Sequence, residues 1–145
     1  MIEENEADVY GWIQFTQSLQ NETTIEAHIN NLSPGNHGIH VHQYHVLNGN
    51  CSSTGPHFNP YRRDHGDHSD KYKHVGDLGN WVADENRTID STLTTNLKLY
   101  GESGILGKSI VIHADQDDLG RGGDEASKQN GNAGARVACC SIHYA

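Results

Sequence analysis

The sequence predicts an all-β domain that carries two long functional loops. Three observations predict it. Apolar residues recur with period two in several short runs, as a strand with one buried face requires. With 34% apolar residues, 16 Gly and only 3 Pro, the composition suits short strands joined by polar loops better than a helical bundle. Two stretches, residues 45–79 and 114–134, have no periodicity and are dense in polar residues and Gly. Structureless segments of that length are uncommon in compact domains and are usually functional or disordered.

The strands follow in chain order. In residues 9–16, Val9, Gly11, Ile13 and Phe15 share one face, and in residues 24–30 Ile25, Ala27 and Ile29 do the same. Leu32-Ser33-Pro34-Gly35-Asn36 reads as a turn. Residues 38–44 place Ile39 and Val41 opposite His40 and His42. Residues 88–94, 97–100, 109–113 and 136–142 are the remaining strands, and residues 124–129 suit a short helical turn. At 145 residues the chain has room for one sizeable core, so residues 1–145 are read as a single domain.

Charge and composition exclude several functions. The net charge of −9 argues against nucleic acid and anionic membranes as partners. No apolar run approaches the roughly 20 residues that span a bilayer. The acidic opening Met1-Ile2-Glu3-Glu4-Asn5-Glu6-Ala7-Asp8 lacks the basic and apolar regions of a signal peptide, so either the protein stays in the cytoplasm or a leader has been removed. Four Asn-x-Ser/Thr sequons, at Asn21, Asn31, Asn50 and Asn86, favour an extracellular glycoprotein. Cys51, Cys139 and Cys140 form no Cys-x-x-Cys pair, but Cys51 is free to bridge to Cys139 or Cys140, leaving one thiol over.

The 11 histidines carry the chemistry. His40 and His42 are two apart on a strand, so both imidazoles face one way and make half of a transition-metal site. The first long loop then supplies His57, His65, His74 and Asp77, and a loop is able to fold around an ion. Three imidazoles and a carboxylate form a closed tetrahedral set for zinc. His113 ends the apolar run Ile110-Val111-Ile112 and is placed to complete the His40/His42 half-site, whose all-imidazole character suits copper.

These residues lie in motifs with a specific resemblance. Gly38-Ile39-His40-Val41-His42, Gly55-Pro56-His57-Phe58-Asn59-Pro60, His74-Val75-Gly76-Asp77-Leu78-Gly79-Asn80, Asp117-Asp118-Leu119-Gly120 and Gly131-Asn132-Ala133-Gly134-Ala135-Arg136-Val137-Ala138-Cys139 resemble the copper/zinc superoxide dismutase family, from about Val9 to the chain's end. The resemblance implies an eight-stranded Greek-key β-barrel or sandwich, immunoglobulin-like in architecture. It implies that His40, His42, His57 and His113 bind copper and that His57, His65, His74 and Asp77 bind zinc, with His57 as the bridge. Asp117 would hydrogen-bond one ligand of each metal, Cys51 and Cys139 would form the disulfide, and Arg136 would dock the anion. The implied activity disproportionates superoxide to dioxygen and hydrogen peroxide, with Arg136 and a proton-carrying His57 as catalytic groups. His37 is read as structural, and His28, His45, His68 and His143 as exposed polar residues.

Three departures from the family pattern carry expectations of their own. The stretch 1–8 is a poor strand former, so the first strand is expected to be weakened: short, frayed or differently paired. Asp115 and Gln129 stand where the copper channel usually carries lysines, and Asn130 where it carries threonine. His45 and His143-Tyr144 stand where the usual dimer surface has small residues, although Gly107 is kept, so the family dimer is not assumed. The alternative function is a secreted, dismutase-like metal-binding or assembly protein with low or no turnover.

Overall fold

The computed structural model describes Glu4, Asn5 and residues 8–144. Among the described residues, eight strands form two antiparallel sheets. One sheet is made of β2 (Tyr10–Gln17), β3 (Thr23–Asn30) and β6 (Thr88–Thr95), in the order β2-β3-β6. The other is made of β1 (Glu4–Asn5), β8 (Arg136–Ser141), β7 (Ser109–His113), β4 (Gly35–His42) and β5 (Asp77–Ala83), in the order β1-β8-β7-β4-β5. The chain passes between sheets at β1–β2, β3–β4, β5–β6 and β6–β7, and β7 returns to lie beside β4, which gives the Greek-key sandwich the resemblance implies.

The core lies between the sheets. Ile25, Ala27 and Ile29 of β3 and Ile89 of β6 face Ile39 and Val41 of β4, Trp81 of β5, Ile110 and Ile112 of β7 and Ala138 of β8. Period two explains β3, whose Ile25, Ala27 and Ile29 are buried while Glu26 is exposed. It does not explain β4, where Ile39, His40, Val41 and His42 are all buried. This strand is covered on both faces: aliphatic side chains fill the core, and the two imidazoles face the loops on the other side.

Most strand boundaries agree with the sequence reading to within three residues, and 109–113 agrees outright. Two readings are corrected. The first aperiodic stretch was expected to run through Gly79, but β5 begins at Asp77. Its residues are buried on both faces over most of its length, so alternation is absent. Residues 97–100 form no strand. Leu97 enters the core, and Lys98 makes only an isolated bridge to Gly104. The weakened first strand is present in its short form, with Glu4 opposite Cys139 and Asn5 opposite Ala138. Met1–Glu3, Glu6 and Ala7 of that stretch, and Ala145, lie outside the described residues.

The two long loops fold back over the outer face of β4. Their folding is held by specific side chains. Asn50 caps a 3-10 turn, Cys51–Thr54, and Asp124 caps a short helix, α1 (Glu125–Asn130), by accepting from Ser127 N. Gly131 ends α1 in the left-handed conformation at φ 71°, and its α-carbon lies against the Asp117 carboxylate and the His65 ring, where a β-carbon would collide. The turn Gly76 is packed as tightly, against the backbone of Val41 and Phe58.

Candidate metal centre

The predicted ligands converge. His40, His42, His57, His65, His74, Asp77 and His113 are all buried, as is Asp117. β4 supplies His40 and His42, the end of β7 supplies His113, the first loop supplies His57, His65 and His74, and the start of β5 supplies Asp77. Their ring and carboxylate atoms fall into two groups that share His40 and His57, with His74 beside the second.

The first group is His40, His42, His57 and His113, whose ligating atoms lie within 4.8 Å of one another. Ring centroids show its shape. The pairs His40–His57, His57–His42, His42–His113 and His113–His40 are 3.9, 4.9, 5.4 and 4.8 Å apart. The remaining pairs, His40–His42 and His57–His113, are longer at 6.1 and 6.3 Å. Four shorter sides and two longer diagonals describe a flattened quadrilateral, not a regular tetrahedron. That arrangement suits copper(II), which takes near-planar nitrogen sets.

The outer nitrogens of this group are tied down by the protein. His42 Nδ1 lies 2.7 Å from Gly55 O, His113 Nδ1 lies 3.1 Å from Gly134 O, and His40 Nε2 lies 2.6 Å from Asp117 Oδ2. Each of these partners accepts, so each of these nitrogens is a donor and the opposite nitrogen presents a lone pair. His42 Nε2 and His113 Nε2 accordingly face each other at 3.3 Å. His40 Nδ1 and His57 Nε2 are buried with no hydrogen-bond partner. Orphaned buried nitrogens are rare in folded proteins, and a metal ion satisfies them where a hydrogen bond does not.

The second group surrounds Asp77. Asp77 Oδ1 lies 3.1 Å from His57 Nδ1, 2.8 Å from His65 Nδ1 and 3.4 Å from His74 Nδ1, and His57 Nδ1 lies 3.2 Å from His74 Nδ1. A tetrahedron with zinc bonds of about 2.0–2.1 Å has edges of roughly 3.3 Å, so three imidazoles and one carboxylate oxygen fit that ion. His40 also comes close to this group, but its Nε2 is committed to Asp117 and its Nδ1 belongs to the copper-type set. Asp77 Oδ2 accepts from the backbone N–H groups of Gly66 and His74, which fixes the carboxylate.

Asp117 joins the two groups. Oδ2 lies 2.6 Å from His40 Nε2 and Oδ1 lies 2.6 Å from His65 Nε2. Asn80 holds Asp117 in turn, donating to its carbonyl at 2.8 Å and accepting from its N–H at 2.7 Å. Sequence reasoning included Asn80 in a motif but gave it no role. The signal was there only as an amide three residues beyond Asp77.

Titration follows from these contacts. Burial drives His40 and His113 down to about 4 and His57 to about 3, and it also holds His42 well below its ordinary value. These imidazoles are neutral at physiological pH, as ligands must be. Burial also works against a charge on His65, but its hydrogen bonds to Asp117 and Asp77 win and raise it to about 9. Burial opposes the Asp117 charge as well, and the imidazoles of His40 and His65 nevertheless hold it at about 2. Asp77 is lowered in the same way by His57, His65 and His74. In the metal-free chain, then, one proton sits on His65 between two carboxylates.

An open cleft leads to the first group. It is lined by His57, His113, Gln129, Asn130, Asn132 and Arg136 among others. Arg136 is half-buried, and its Nη1 donates to Cys51 O at 3.0 Å and to Thr54 Oγ1 at 2.7 Å. Cys51 is bonded to Cys139, as the resemblance implied, and Cys140 is the thiol outside that pair. Gln129 and Asn130 do line the cleft, whereas Asp115 does not. His37 is buried between His113 O and Ser33 O at 2.7 Å each, a structural position. His45, His68 and His143 are exposed; His28 is half-buried against Trp12.

A family model described as copper/zinc superoxide dismutase matches residues 9–142. An extracellular superoxide dismutase [Cu-Zn] of Brugia pahangi is 48% identical over 143 residues, covering 96% of this chain and 71% of that protein. A superoxide dismutase [Cu-Zn] of Mesembryanthemum crystallinum is 48% identical over 133 residues, covering 91% of this chain and 85% of that protein. One of Onchocerca volvulus is 47% identical over 136 residues, covering 90% and 86%.

Proposed function

Because the chain belongs to the copper/zinc superoxide dismutase family, we propose that its histidine centre holds one copper and one zinc ion across His57 and disproportionates superoxide to dioxygen and hydrogen peroxide. The observation that supports it most is the disposition of His57. Its Nδ1 lies within the group around Asp77, while its Nε2 is buried without a partner beside His40, His42 and His113. One imidazole thus serves both sets. His40 Nδ1, His42 Nε2, His57 Nε2 and His113 Nε2 are the copper ligands in this reading, and His57 Nδ1, His65 Nδ1, His74 Nδ1 and Asp77 Oδ1 the zinc ligands.

Copper, when bound, supplies the one-electron redox chemistry, and zinc supplies a fixed charge that orients His57. The chain's own residues do the rest. Arg136 stays charged and presents its free donors to a small anion, because Nη1 is already held by Cys51 O and Thr54 Oγ1. Two superoxide ions and two protons become one dioxygen and one hydrogen peroxide. His57 Nε2 would carry one of those protons only while it is not ligating copper, and solvent in the cleft would supply the other. Asp117 keeps His40 and His65 in the tautomers that the two sets need.

The test is reconstitution with copper and zinc followed by superoxide decay in pulse radiolysis. The reconstituted chain is expected to outpace its Arg136→Ala variant by tenfold or more, as the loss of a docking charge predicts (roughly 1.4 kcal/mol or above). Equal rates in the two proteins would sink the reading.

We propose further that the protein is extracellular and glycosylated, and that it is a monomer or an oligomer other than the family's usual dimer. Asn21, Asn50 and Asn86 are exposed, and the disulfide is at home in an oxidising compartment. His45, His143 and Tyr144 are exposed polar or aromatic rings where close backbone approach would be needed. Protein from its source should lose mass on glycosidase treatment and should not pair through His45, His143 and Tyr144; an unmodified chain would overturn the first point, and a dimer with those rings at its interface the second.

A further inference from the structure

A second cleft, of about 530 Å3, lies between the first long loop and the turn after β6. Its lining includes Arg63, Lys71, Lys73 and Lys98, four of the 10 Lys and Arg in a chain of charge −9. Among the described residues none of the four pairs with a carboxylate; the one Lys or Arg that does is Arg121, with Asp70. Like charges gathered without counter-charges repel one another, and a cleft focuses their field. Asp70 and Asp77 in the lining, with Asp67 beside them, attract Lys73 without forming an ion pair with it, and their oxygens are engaged elsewhere. Asp70 gives one oxygen to Arg121 and the other to the N–H of Asp67, and both oxygens of Asp77 are engaged by His57, His65, His74 and backbone N–H groups.

The cations are also held in place rather than left to splay. The Arg63 guanidinium lies 5.5 Å from the Tyr61 ring and 5.0 Å from the Tyr72 ring, with Nη1 on Lys71 O. Lys71 Nζ lies 5.3 Å from the other partner of that stack, Tyr72. Lys73 is half-buried with Nζ on His74 O, and Lys98 lines the side formed by the turn after β6, with Nζ on Asn21 O at the edge of the cleft. Ser69, Ser103, Thr95 and Asn96 add neutral hydrogen-bonding groups around the same space.

We propose that this cleft is a binding site for an oxyanion of the phosphate class, seated between Arg63 and Lys71 on one wall and Lys98 on the other. The chemistry is served equally by a free ion or by a phosphoryl group on a larger molecule. Guanidinium and ammonium groups that line one cleft, each with donors left over beyond a single backbone carbonyl, are a usual means of holding such an anion. The site is separate from the Arg136 cleft, with which it shares no lining residue.

Calorimetric titration of the metal-loaded protein with inorganic phosphate, and separately with tripolyphosphate, tests this. Saturable binding is expected, weakened about tenfold by Arg63→Gln and independently by Lys98→Gln, and unchanged by Arg87→Gln on a distant turn. Saturation by inorganic phosphate identifies the free ion as ligand; saturation by tripolyphosphate alone identifies the larger phosphorylated body. Because Lys98 makes none of the tyrosine contacts, its variant keeps the loop intact if Arg63→Gln disturbs it. No saturation with either probe overturns the proposal. So does an isotherm that neither substitution changes, since the anion then sits elsewhere, Arg136 included.

Discussion

At the scale of single residues, Asp117 is the group on which both halves of the centre depend. It receives His40 and His65 at 2.6 Å each, and Asn80 clamps its backbone on both sides. Removing its charge leaves two buried imidazole N–H groups competing for one neutral oxygen. Asp117→Asn is therefore expected to lower metal affinity by about 10–100-fold, measured by chelator competition. A proton count gives the same residue a second readout. The His65 pKa is raised to about 9, above its ordinary value, so the proton it holds stabilises the metal-free fold fully below pH ~6.5 and ceases to as pH rises through 9. Zinc must displace that proton at neutral pH. Calorimetry in buffers of different ionisation enthalpy should show about one proton released from His65 per zinc ion, and less in Asp117→Asn. Equal release in both proteins would mean that Asp117 does not hold His65. The candidate ligands were legible in the sequence because imidazoles two apart on a strand and grouped in a loop have no common structural use. Asn80 was not, since an amide that clamps a backbone looks like any other loop amide.

At the scale of elements, legibility followed burial. β3 shows one buried face and alternates, and the sequence marks it. β5 is buried on nearly both faces and carries Gly79 and Asn80, so nothing in its pattern separates it from the loop it ends. The Leu97 stretch erred the other way: its apolar residues pack into the core without pairing into a ladder. The 3-10 turn Cys51–Thr54 left no periodic trace either, yet it aims Arg136. Both Nη1 acceptors, Cys51 O and Thr54 Oγ1, belong to it, and the Cys51–Cys139 bond fastens the turn to β8, three residues from Arg136 itself. Cutting that bond frees the turn and with it the guanidinium. Cys51→Ser is expected to slow superoxide decay severalfold while the metal content of the loaded protein stays the same, since no ligand lies in the turn. A loss of copper in step with the loss of rate would show instead that the turn supports the ligands.

At the scale of the whole molecule, the centre is complete but its approach is weakly charged. A chain of net charge −9 repels an anionic substrate at long range, and attraction has to come from charges at the cleft itself. Arg136 is the cation there, while Gln129 and Asn130 of α1 and Asn132 beside it contribute neutral amides. The four cations gathered around the second cleft line no part of this one. Encounter, rather than chemistry, should then limit the rate. Gln129 is exposed on the helix that forms the cleft wall, with only a 3.5 Å contact to Glu125, so a longer charged side chain fits without repacking. Gln129→Lys is expected to raise the second-order rate several-fold at low ionic strength. The advantage should shrink steadily with added salt and vanish near 1 M, where the screening length falls to about 3 Å. A variant no faster than the parent at low salt would place the barrier after encounter, at proton delivery or product release. A salt-insensitive gain would point to altered cleft geometry, because steering alone is abolished by screening.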